Sequence, residues 1–234
     1  MERTSLPDLS ILMPAYNEAA TVELAIKRVL DTEFPVEEIE VIVVDDGSTD
    51  GTAELLRGDR WPDQVRLTRH DRNQGKGAAL RTGLMQARGT YAAVVDADLE
   101  YDPADTARLL EPLLDGKAEA VFGVRGFESH TAFSFWYVLG NKGVTMVANI
   151  LYNSWISDLM TGQKVLRTEV FRSLELRERG FAIEPEITAR LLRSGARIYE
   201  VPVTYAARDR EAGKKLTALD GFRVVRTLIR CRAR

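Results

Sequence analysis

Residues 41–52 read Val41-Ile42-Val43-Val44-Asp45-Asp46-Gly47-Ser48-Thr49-Asp50-Gly51-Thr52. The first four residues are uniformly β-branched and apolar, which is typical of a strand buried on both faces of a parallel sheet. The run then changes to acidic and small residues that favour a turn, and Ser48 and Thr49 are suited to cap a helix expected at Thr52–Arg57. A buried strand, a polar turn and a helix in succession indicate an α/β fold.

The same alternation continues on both sides of this stretch. Apolar runs predict further strands at Leu9–Met13, Val65–Thr68, Tyr91–Val95 and Ala120–Val124. Amphipathic segments predict helices at Val22–Leu30, Gly77–Ala87 and Ala104–Leu114, the last with Pro103 in its first turn. This order predicts a mostly parallel sheet with helices on both faces, in which ligands bind beyond the carboxyl ends of the strands.

After about residue 125 the alternation ends. Residues Phe133–Tyr152 are aromatic and apolar, and a polar link follows at Ser157–Lys164. A helix is expected at Pro185–Leu192 and a strand at Ile198–Val203. We expect one domain over residues 1–234, in which residues 126–234 elaborate a regular half formed by residues 1–125.

The composition is that of an ordinary globular protein, with 45% hydrophobic and 29% charged residues. The single cysteine, Cys231, excludes an intramolecular disulfide and is typical of a reducing compartment. The first residues lack the apolar core of a signal peptide, and no segment reaches the roughly 18 apolar residues of a membrane span. We therefore expect a cytoplasmic location.

The net charge of −3 conceals a basic C-terminal segment. From Arg197 onward there are ten Lys and Arg against four Asp and Glu, a local balance of +6. Such a segment attracts anionic partners such as phosphate groups or a lipid surface. A solvated basic helix and tail would have the same composition.

The sharpest candidate for chemistry is Asp96-Ala97-Asp98, directly after the strand at Tyr91–Val95. Carboxylates at positions i and i+2 face the same side of a strand end. With Glu100 nearby, they supply the oxygen ligands that a hard divalent cation prefers. A lone Asp-x-Asp pair also occurs in ordinary polar turns. The prediction of a metal site therefore depends on the position of this pair at the end of a strand.

Two other strand ends carry groups suited to a nucleoside. One carboxylate of the Asp45–Thr52 run is placed to accept hydrogen bonds from a base or ribose. In Pro14-Ala15-Tyr16-Asn17-Glu18, Tyr16 offers a stacking face and Glu18 an acceptor. Asn73-Gln74-Gly75-Lys76-Gly77 is similar to a phosphate loop, but His70 stands where the upstream glycine of a P-loop belongs.

In order, these segments resemble family 2 glycosyltransferases of the GT-A fold. The resemblance is carried by Pro14–Glu18, Asp45–Thr52, Asn73–Leu80, Asp96–Asp98 and Val121–Arg125. The closer likeness is to dolichol-phosphate mannosyltransferases and their bacterial polyprenyl-phosphate relatives. It is carried by Gly140–Gly143, Asp158–Lys164, Gly180–Ile187, Glu200–Val203 and Gly213–Leu216. The implied fold is an α/β, GT-A type, mostly parallel nucleotide-binding sheet flanked by helices, with an acceptor-side elaboration in the second half.

The resemblance also implies roles for individual residues. The nucleoside of the donor would be held by Pro14, Tyr16, Glu18 and Asp46. The cofactor, Mg²⁺ or Mn²⁺, would be held by Asp96, Asp98 and Glu100, with Ala97 contributing its backbone. Asp98 and Arg125 would be catalytic, Arg125 through a donor or acceptor phosphate. Arg208, Arg210 and Lys215 would close over the diphosphate from a mobile loop at Ala206–Lys215.

The sequence departs from the family pattern at three positions. Glu100 stands where the family often has Gln, which would add negative charge to the metal site. Tyr137 stands where an arginine would contact the acceptor phosphate, and Asn141 replaces a neighbouring serine. The acceptor site is therefore the part of the resemblance that the residues support least.

The implied reaction is inverting transfer of a sugar from GDP-mannose or a UDP-sugar to a polyprenyl or dolichyl phosphate. A phosphate acceptor is already anionic and needs no general base, whereas a hydroxyl acceptor needs one. The nearest candidates for such a base are Asp158, Glu184 and Glu186.

A lipid acceptor would place the protein peripherally at the cytoplasmic face of an anionic membrane. An apolar platform for that surface would come from Phe133, Phe135, Trp136, Tyr137 and Val144–Leu151, unless these residues pack the core. We expect no nucleic-acid partner, and the sequence leaves a homodimer open.

Three other functions remain in view. The first is a family 2 transferase that acts on a soluble hydroxyl acceptor, such as a polysaccharide or a small molecule. The second is a sugar nucleotidyltransferase, but Pro14–Glu18 lacks the glycine-rich basic loop of that class. The third is a non-catalytic protein that binds a nucleotide-sugar or a lipid, and the intact Asp96 and Asp98 argue against it.

Overall fold

In the computed structural model, which describes residues 6–57, 60–126, 135–206 and 218–233, seven strands form one sheet. The strands are β1 (Leu9–Ala15), β2 (Ile39–Asp45), β3 (Val65–Arg69), β4 (Tyr91–Val94), β5 (Ala120–Arg125), β6 (Lys164–Arg167) and β7 (Ile198–Val203). Their spatial order is β3-β2-β1-β4-β6-β5-β7. Every neighbouring pair is parallel except those made by β6, which runs antiparallel to both β4 and β5.

The described helices cover both faces of the sheet. They are α1 (Val22–Leu30), α2 (Thr52–Leu55), α3 (Lys76–Gln86), α4 (Pro103–Leu114), α5 (Phe135–Tyr152), α6 (Thr168–Ser173), α7 (Ile183–Ser194) and α8 (Ala218–Ala233). Ile11 and Met13 of β1 pack into a core with α1 and α4, while Leu12 packs on the opposite face with α3 and α7. The central strands are thus buried on both faces, as their unbroken apolar runs predicted.

The elements predicted in the first half of the chain are confirmed, with ends that differ by one or two residues. The prediction that Ser48 and Thr49 cap the helix after β2 is wrong. The carboxylate of Asp50 accepts from the Thr52 backbone N–H at 3.0 Å, whereas the Ser48 hydroxyl accepts from the Asn17 N–H in the loop after β1. Pro103 does begin α4, behind an Asp102 side chain that accepts from the Ala104 N–H.

The polar link predicted at Ser157–Lys164 hides the start of a strand that the sequence did not indicate. β6 is four residues long and opens with a lysine, so it lacks the apolar run by which a buried strand is recognised. The Lys164 side chain is nevertheless completely buried, because a carboxylate from α7 meets its charge. β6 inserts between β4 and β5, so strands from both halves of the chain share one sheet.

Helices α5, α7 and α8 pack together around a third core that includes Ala148, Leu159, Ala189 and Leu228. The reciprocal hydrogen bonds between the Asn149 side chain and the backbone of Ile156 tie the end of α5 to the segment after it. Within the described ranges, no helix combines the length and the apolar character needed to cross a membrane.

Candidate functional site

The carboxyl ends of β1, β2 and β4 lie side by side at one edge of the sheet. Ala15 pairs with Asp45 across β1 and β2, and Leu12 pairs with Val94 across β1 and β4. From β1 the chain proceeds to β2 and β3 on one side, whereas β4 lies on the other. Ligands bind where the strand order reverses in this way, so the loops after these three strands form the candidate site.

The loops after β1 and β2 hold each other in place. Three backbone N–H groups of the first loop donate to side chains of the second: Asn17 to Ser48 Oγ (2.9 Å), Glu18 to Thr52 Oγ1 (2.8 Å) and Ala19 to Asp50 Oδ2 (3.0 Å). In return, the Thr49 N–H donates to the Asn17 side chain at 2.9 Å. Asn17 has a φ of +56°, which a short polar side chain tolerates.

This bracing presents the side chain of Tyr16 to solvent with 43% of its surface exposed. Pro14 is half-buried at the end of β1. The carboxylate of Glu18 accepts from the Thr21 hydroxyl at 2.8 Å, beside the start of α1. Three of the four residues expected to hold a nucleoside therefore lie together at the strand edge, with Tyr16 as the exposed one.

Asp46 is engaged by its own protein rather than presented to a ligand. Its carboxylate accepts from the backbone N–H groups of Gln74 and Gly75 at 2.9 and 2.7 Å, and lies 2.6 Å from His70 Nδ1. These contacts fix the loop that leads into α3. The neighbouring Asp45 differs, because its buried Oδ2 has no hydrogen-bond partner among the described residues and faces Arg69 Nε at 3.1 Å.

Asp96 and Asp98 follow β4 on either side of the buried Ala97. Asp96 Oδ2 lies 2.7 Å from Lys76 Nζ, and Asp98 Oδ1 accepts from the Glu100 backbone N–H at 3.1 Å. Leu99, between Asp98 and Glu100, has a φ of +63°, a conformation that L-residues rarely adopt and that strained functional turns often contain.

The expected set of three metal ligands is not assembled. Glu100 Oε2 accepts from the Tyr205 hydroxyl at 2.8 Å, which turns this carboxylate toward β7. Among the described residues, no group of three His, Cys, Asp or Glu side chains is placed to hold a metal ion. The role of Glu100 as a metal ligand therefore stays a prediction.

Asp96 and Asp98 nevertheless fit a divalent cation that takes its remaining ligands from water and phosphate oxygens. Burial raises the pKa of Asp96 to about 6 against the opposing charge of Lys76, and the negative charges of Asp98 and Glu184 add to the rise. A bound cation would offset the negative charge of these carboxylates. Gly162 leaves space beside Asp96, since a Cβ atom there would lie 2.9 Å from Asp96 Oδ2.

Arg125, at the end of β5, is buried and pairs with the fully buried Asp158. Its Nε and Nη2 atoms donate to the two carboxylate oxygens at 2.6 and 2.8 Å. Two of the three positions that depart from the family pattern meet at this pair. Arg125 Nη1 donates to the Tyr137 hydroxyl at 2.9 Å, and Asn141 Nδ2 donates to Asp158 at 3.0 Å. Burial raises the pKa of Asp158, but the hydrogen bonds and charge of Arg125 outweigh it and hold that pKa below its ordinary value.

The three carboxylates considered as general bases are all buried beside cations. Asp158 pairs with Arg125, Glu184 with Lys76 and Lys164, and Glu186 with Arg190. Burial raises the pKa of Glu184, but the two lysines outweigh it and hold the pKa below its ordinary range. None of the three is placed as a base that a substrate hydroxyl could reach.

Lys76 and Lys164 are the residues of the site that sequence reasoning missed. Lys76 belongs to the Asn73–Gly77 segment, which was set aside as a P-loop without another role. Its position in the sequence, between the Asp45–Thr52 run and Asp96–Asp98, could have indicated a place in the site. Arg208, Arg210, Lys215 and Phe133 lie outside the described residues.

Comparison with known proteins supports the resemblance seen in the sequence. A protein-family model described as "Glycosyl transferase family 2" matches residues 10–175. The dolichol-phosphate mannosyltransferase of Pyrococcus furiosus is 31% identical over 212 residues, which cover 88% of this chain and 58% of that protein. The polyprenol monophosphomannose synthase of Mycolicibacterium smegmatis is 29% identical over 85% of this chain and 77% of that protein.

Among solved structures, the glucosyl-3-phosphoglycerate synthase of Mycobacterium tuberculosis, in complex with Mn²⁺, UDP and glucosyl-3-phosphoglycerate, superposes with a TM-score of 0.73. The match covers 97% of this chain and 80% of that chain, at 20% identity. This likeness confirms the GT-A fold expected from the sequence. Because the family match extends over more than half of the chain and includes the strand ends of the candidate site, the protein belongs to glycosyltransferase family 2.

Proposed function

We propose that this glycosyltransferase moves a sugar from a nucleoside-diphosphate donor to a polyprenyl phosphate, with a divalent cation held by Asp96 and Asp98. The observation that carries the proposal is the state of Asp158, Glu184 and Glu186, each buried and paired with a cation. A hydroxyl acceptor must lose a proton to a base, whereas a phosphate acceptor is already an anion. Because these three candidate bases of the described part of the chain are all engaged, the site suits a phosphate acceptor.

The names of two relatives support the same acceptor class. The protein from Pyrococcus furiosus is named a dolichol-phosphate mannosyltransferase, and that from Mycolicibacterium smegmatis a polyprenol monophosphomannose synthase. This chain spans little more than half the length of the Pyrococcus protein. That this chain has the activity of the whole Pyrococcus protein is therefore part of the proposal. The glucosyl-3-phosphoglycerate synthase of Mycobacterium tuberculosis is similar in fold and supports no particular acceptor.

For the donor, we assign the nucleoside to the edge formed by Pro14, Tyr16 and Glu18. The neighbouring Asp45 is buried beside Arg69 and accepts from the Ser48 N–H. We therefore keep Asp46 as the acidic residue proposed to face a base or ribose, although its carboxylate also fixes the loop before α3. Arg208, Arg210 and Lys215 are proposed to approach the diphosphate. Arg125 is proposed to act mainly through Asp158 and Tyr137, because two of its nitrogen atoms donate to Asp158.

The reaction is an in-line displacement at the anomeric carbon. An oxygen of the acceptor phosphate forms the new bond as the bond to the donor diphosphate breaks, and the electron pair leaves with the nucleoside diphosphate. No proton needs to move, so the residues contribute position and electrostatic stabilisation. A bound Mg²⁺ or Mn²⁺ would neutralise the charge that develops on the leaving group.

A lipid acceptor requires contact with a membrane surface, and α5 offers a suitable face. Phe135, Leu139, Met146 and Ile150 are exposed and recur at helical spacing, and Trp155 just after the helix is 77% exposed. The neighbouring α8 adds the exposed arginines 223, 226 and 232. We propose that this apolar face with its basic border rests peripherally on the cytoplasmic surface of an anionic bilayer.

Thermal unfolding with a panel of GDP- and UDP-sugars tests the donor half of this proposal. A ligand that binds the folded chain raises the melting temperature. We expect one nucleotide class to raise it in the presence of Mn²⁺ and to lose the effect in EDTA. If no nucleotide-sugar raises the melting temperature with Mn²⁺ present, the donor assignment is wrong.

A further inference from the structure

Four charged side chains of alternating sign lead from the candidate metal site into the protein interior. Lys76 Nζ, at the start of α3, lies 2.7 Å from Asp96 Oδ2 and 3.0 Å from Glu184 Oε1. The other oxygen of Glu184 lies 2.6 Å from Lys164 Nζ. Lys76 therefore has two carboxylate partners, one at the site and one behind it.

The inner end of this chain is enclosed on all sides. The Lys164 side chain is 0% exposed, donates to the backbone carbonyl of Thr161, and lies over the ring of Phe122 at 5.0 Å. Glu184 is 3% exposed in the first turn of α7. Lys164 thus fixes Glu184, and Glu184 in turn fixes the ammonium of Lys76.

Such an arrangement is a weak way to stabilise a fold. Taking two charges out of water offsets most of their attraction, and apolar replacements are often as stable. The outer member of the chain is also a carboxylate that we assign to a metal. Gly162 lies against the same contact, because a Cβ atom there would come within 2.9 Å of Asp96 Oδ2 and 3.4 Å of Lys76 Nζ.

We propose that Glu184 is a positioning residue that holds Lys76 while Asp96 passes from Lys76 to a divalent cation. With Glu184 in place, the Lys76 ammonium keeps a carboxylate partner when the cation takes Asp96. Without Glu184, Asp96 is the remaining carboxylate within ion-pair distance of Lys76 in the described ranges, so the cation must displace the ammonium entirely. This inference rests on the proposed function, since it concerns the metal-assisted donor site.

The rival role for Glu184 is that of a general base toward a hydroxyl acceptor. Two ammonium groups within 3.0 Å favour its ionised form but leave it a weak base, and its burial gives an acceptor hydroxyl no approach. The two roles differ in what a neutral variant loses. A base affects the transfer rate and leaves donor binding intact, whereas a positioning residue affects the metal dependence of donor binding.

The test is the Mn²⁺ dependence of nucleotide binding, measured by calorimetry with GDP or UDP, whichever the wild-type chain binds more tightly. Glu184→Gln should need about tenfold more Mn²⁺ for half-maximal binding, a change within the usual coupling between contacting residues. The double variant Glu184→Gln with Lys164→Met removes both inner charges together. It should fold even if the single variant does not, because Lys164 is no longer left buried without its counterion. It should show the same shift.

Glu40→Gln is the matched control, because Glu40 is also a buried carboxylate held by arginines but lies at the start of β2, away from the site. It should lower the melting temperature and leave the Mn²⁺ dependence unchanged. If the wild type binds nucleotide with Mn²⁺ and both Glu184 variants have wild-type Mn²⁺ dependence, the inference alone is overturned. If the wild type binds neither GDP nor UDP, the proposed function falls and the inference with it.

Discussion

Arg125 donates two hydrogen bonds to Asp158, from Nε to Oδ2 at 2.6 Å and from Nη2 to Oδ1 at 2.8 Å, and both side chains are buried. The pair connects the end of β5 to the segment between α5 and β6. Asn141 and the Met160 N–H also donate to Asp158, so four hydrogen bonds converge on one carboxylate. An acid held in this way is a structural anchor of the second half of the chain and a poor proton acceptor.

The Arg125–Asp158 pair makes the fold sensitive to acid. The folded-state pKa of Asp158 is lowered, so its contribution to stability is present above the unfolded pKa of about 3.9 and is lost as the pH falls toward the folded value. Asp158→Asn should cost about 3–5 kcal/mol at neutral pH, because Arg125 is left buried without its counterion. It should also flatten the decline of unfolding free energy below about pH 4. Urea denaturation at several pH values measures both effects.

The control is Asp115→Asn, which removes an exposed partner of Lys117. Exposed pairs contribute little, so this variant should unfold like the wild type at every pH. An Asp158→Asn chain as stable as Asp115→Asn would contradict the assignment of Arg125–Asp158 as an anchor.

Asp98 should be essential for donor turnover, and Glu100 should matter less. Asp98→Ala removes a proposed metal ligand and should lower the transfer rate by at least about 100-fold while the chain still folds. Glu100→Gln should lose less, because that side chain is already engaged by Tyr205. Initial rates in Mn²⁺ and in EDTA compare the two. Equal losses would support Glu100 as a third ligand, and full activity of Asp98→Ala or of the wild type in EDTA would contradict the metal assignment.

Gly162 should tolerate no side chain. In Gly162→Ala the new methyl group would press on Asp96 Oδ2 at 2.9 Å and disturb its contact with Lys76. We expect weaker Mn²⁺-dependent nucleotide binding with a small change in melting temperature. Gly140→Ala, on α5 with nothing within 4 Å of the added atom, should bind as the wild type does. Wild-type binding by Gly162→Ala would mean that the Asp96 environment is looser than these distances indicate.

The exposed face of α5 should bind anionic vesicles. Basic residues near a membrane contribute about 1 kcal/mol each, and this part of the attraction should disappear at high salt. Replacing Ile150 and Trp155 with serine should remove the salt-resistant part, whereas Met85→Ser, an exposed apolar residue on α3, should leave it. Vesicle co-sedimentation at low and high salt separates the two parts. A wild-type chain that ignores anionic vesicles at low salt would contradict the membrane assignment.

The sequence predicted the regular half of the fold well, because each strand there is an unbroken apolar run followed by a polar turn. Val41–Val44 and the residues after it show this most clearly. The sequence did not predict β6, because a lysine is not expected in a buried strand. The burial of Lys164 depends on its ion pair with Glu184, a residue twenty positions away in another element. No local pattern reports a long-range ion pair of this kind.

At the candidate site, the sequence located the strand ends but not the orientation of individual carboxylates. Asp45 and Asp46 are adjacent and chemically identical, yet Asp46 accepts from the Gln74 and Gly75 backbone while Asp45 lies against Arg69 and accepts from the Ser48 N–H. Glu100 was placed with the metal by its distance along the chain, whereas Tyr205 directs it elsewhere. Such choices depend on contacts between distant segments.

The most direct measurement of the central claim is a transfer assay with two lipids that differ only in a phosphate. The purified chain, Mn²⁺ and the radiolabelled donor that stabilises it most are incubated with a short polyprenyl phosphate or with the corresponding polyprenol, and a soluble sugar acceptor is run in parallel. Because Asp158, Glu184 and Glu186 are all buried and paired with cations, we expect label in the polyprenyl phosphate and none in the polyprenol or the sugar. Label in a hydroxyl acceptor, with none in the polyprenyl phosphate, would contradict the account.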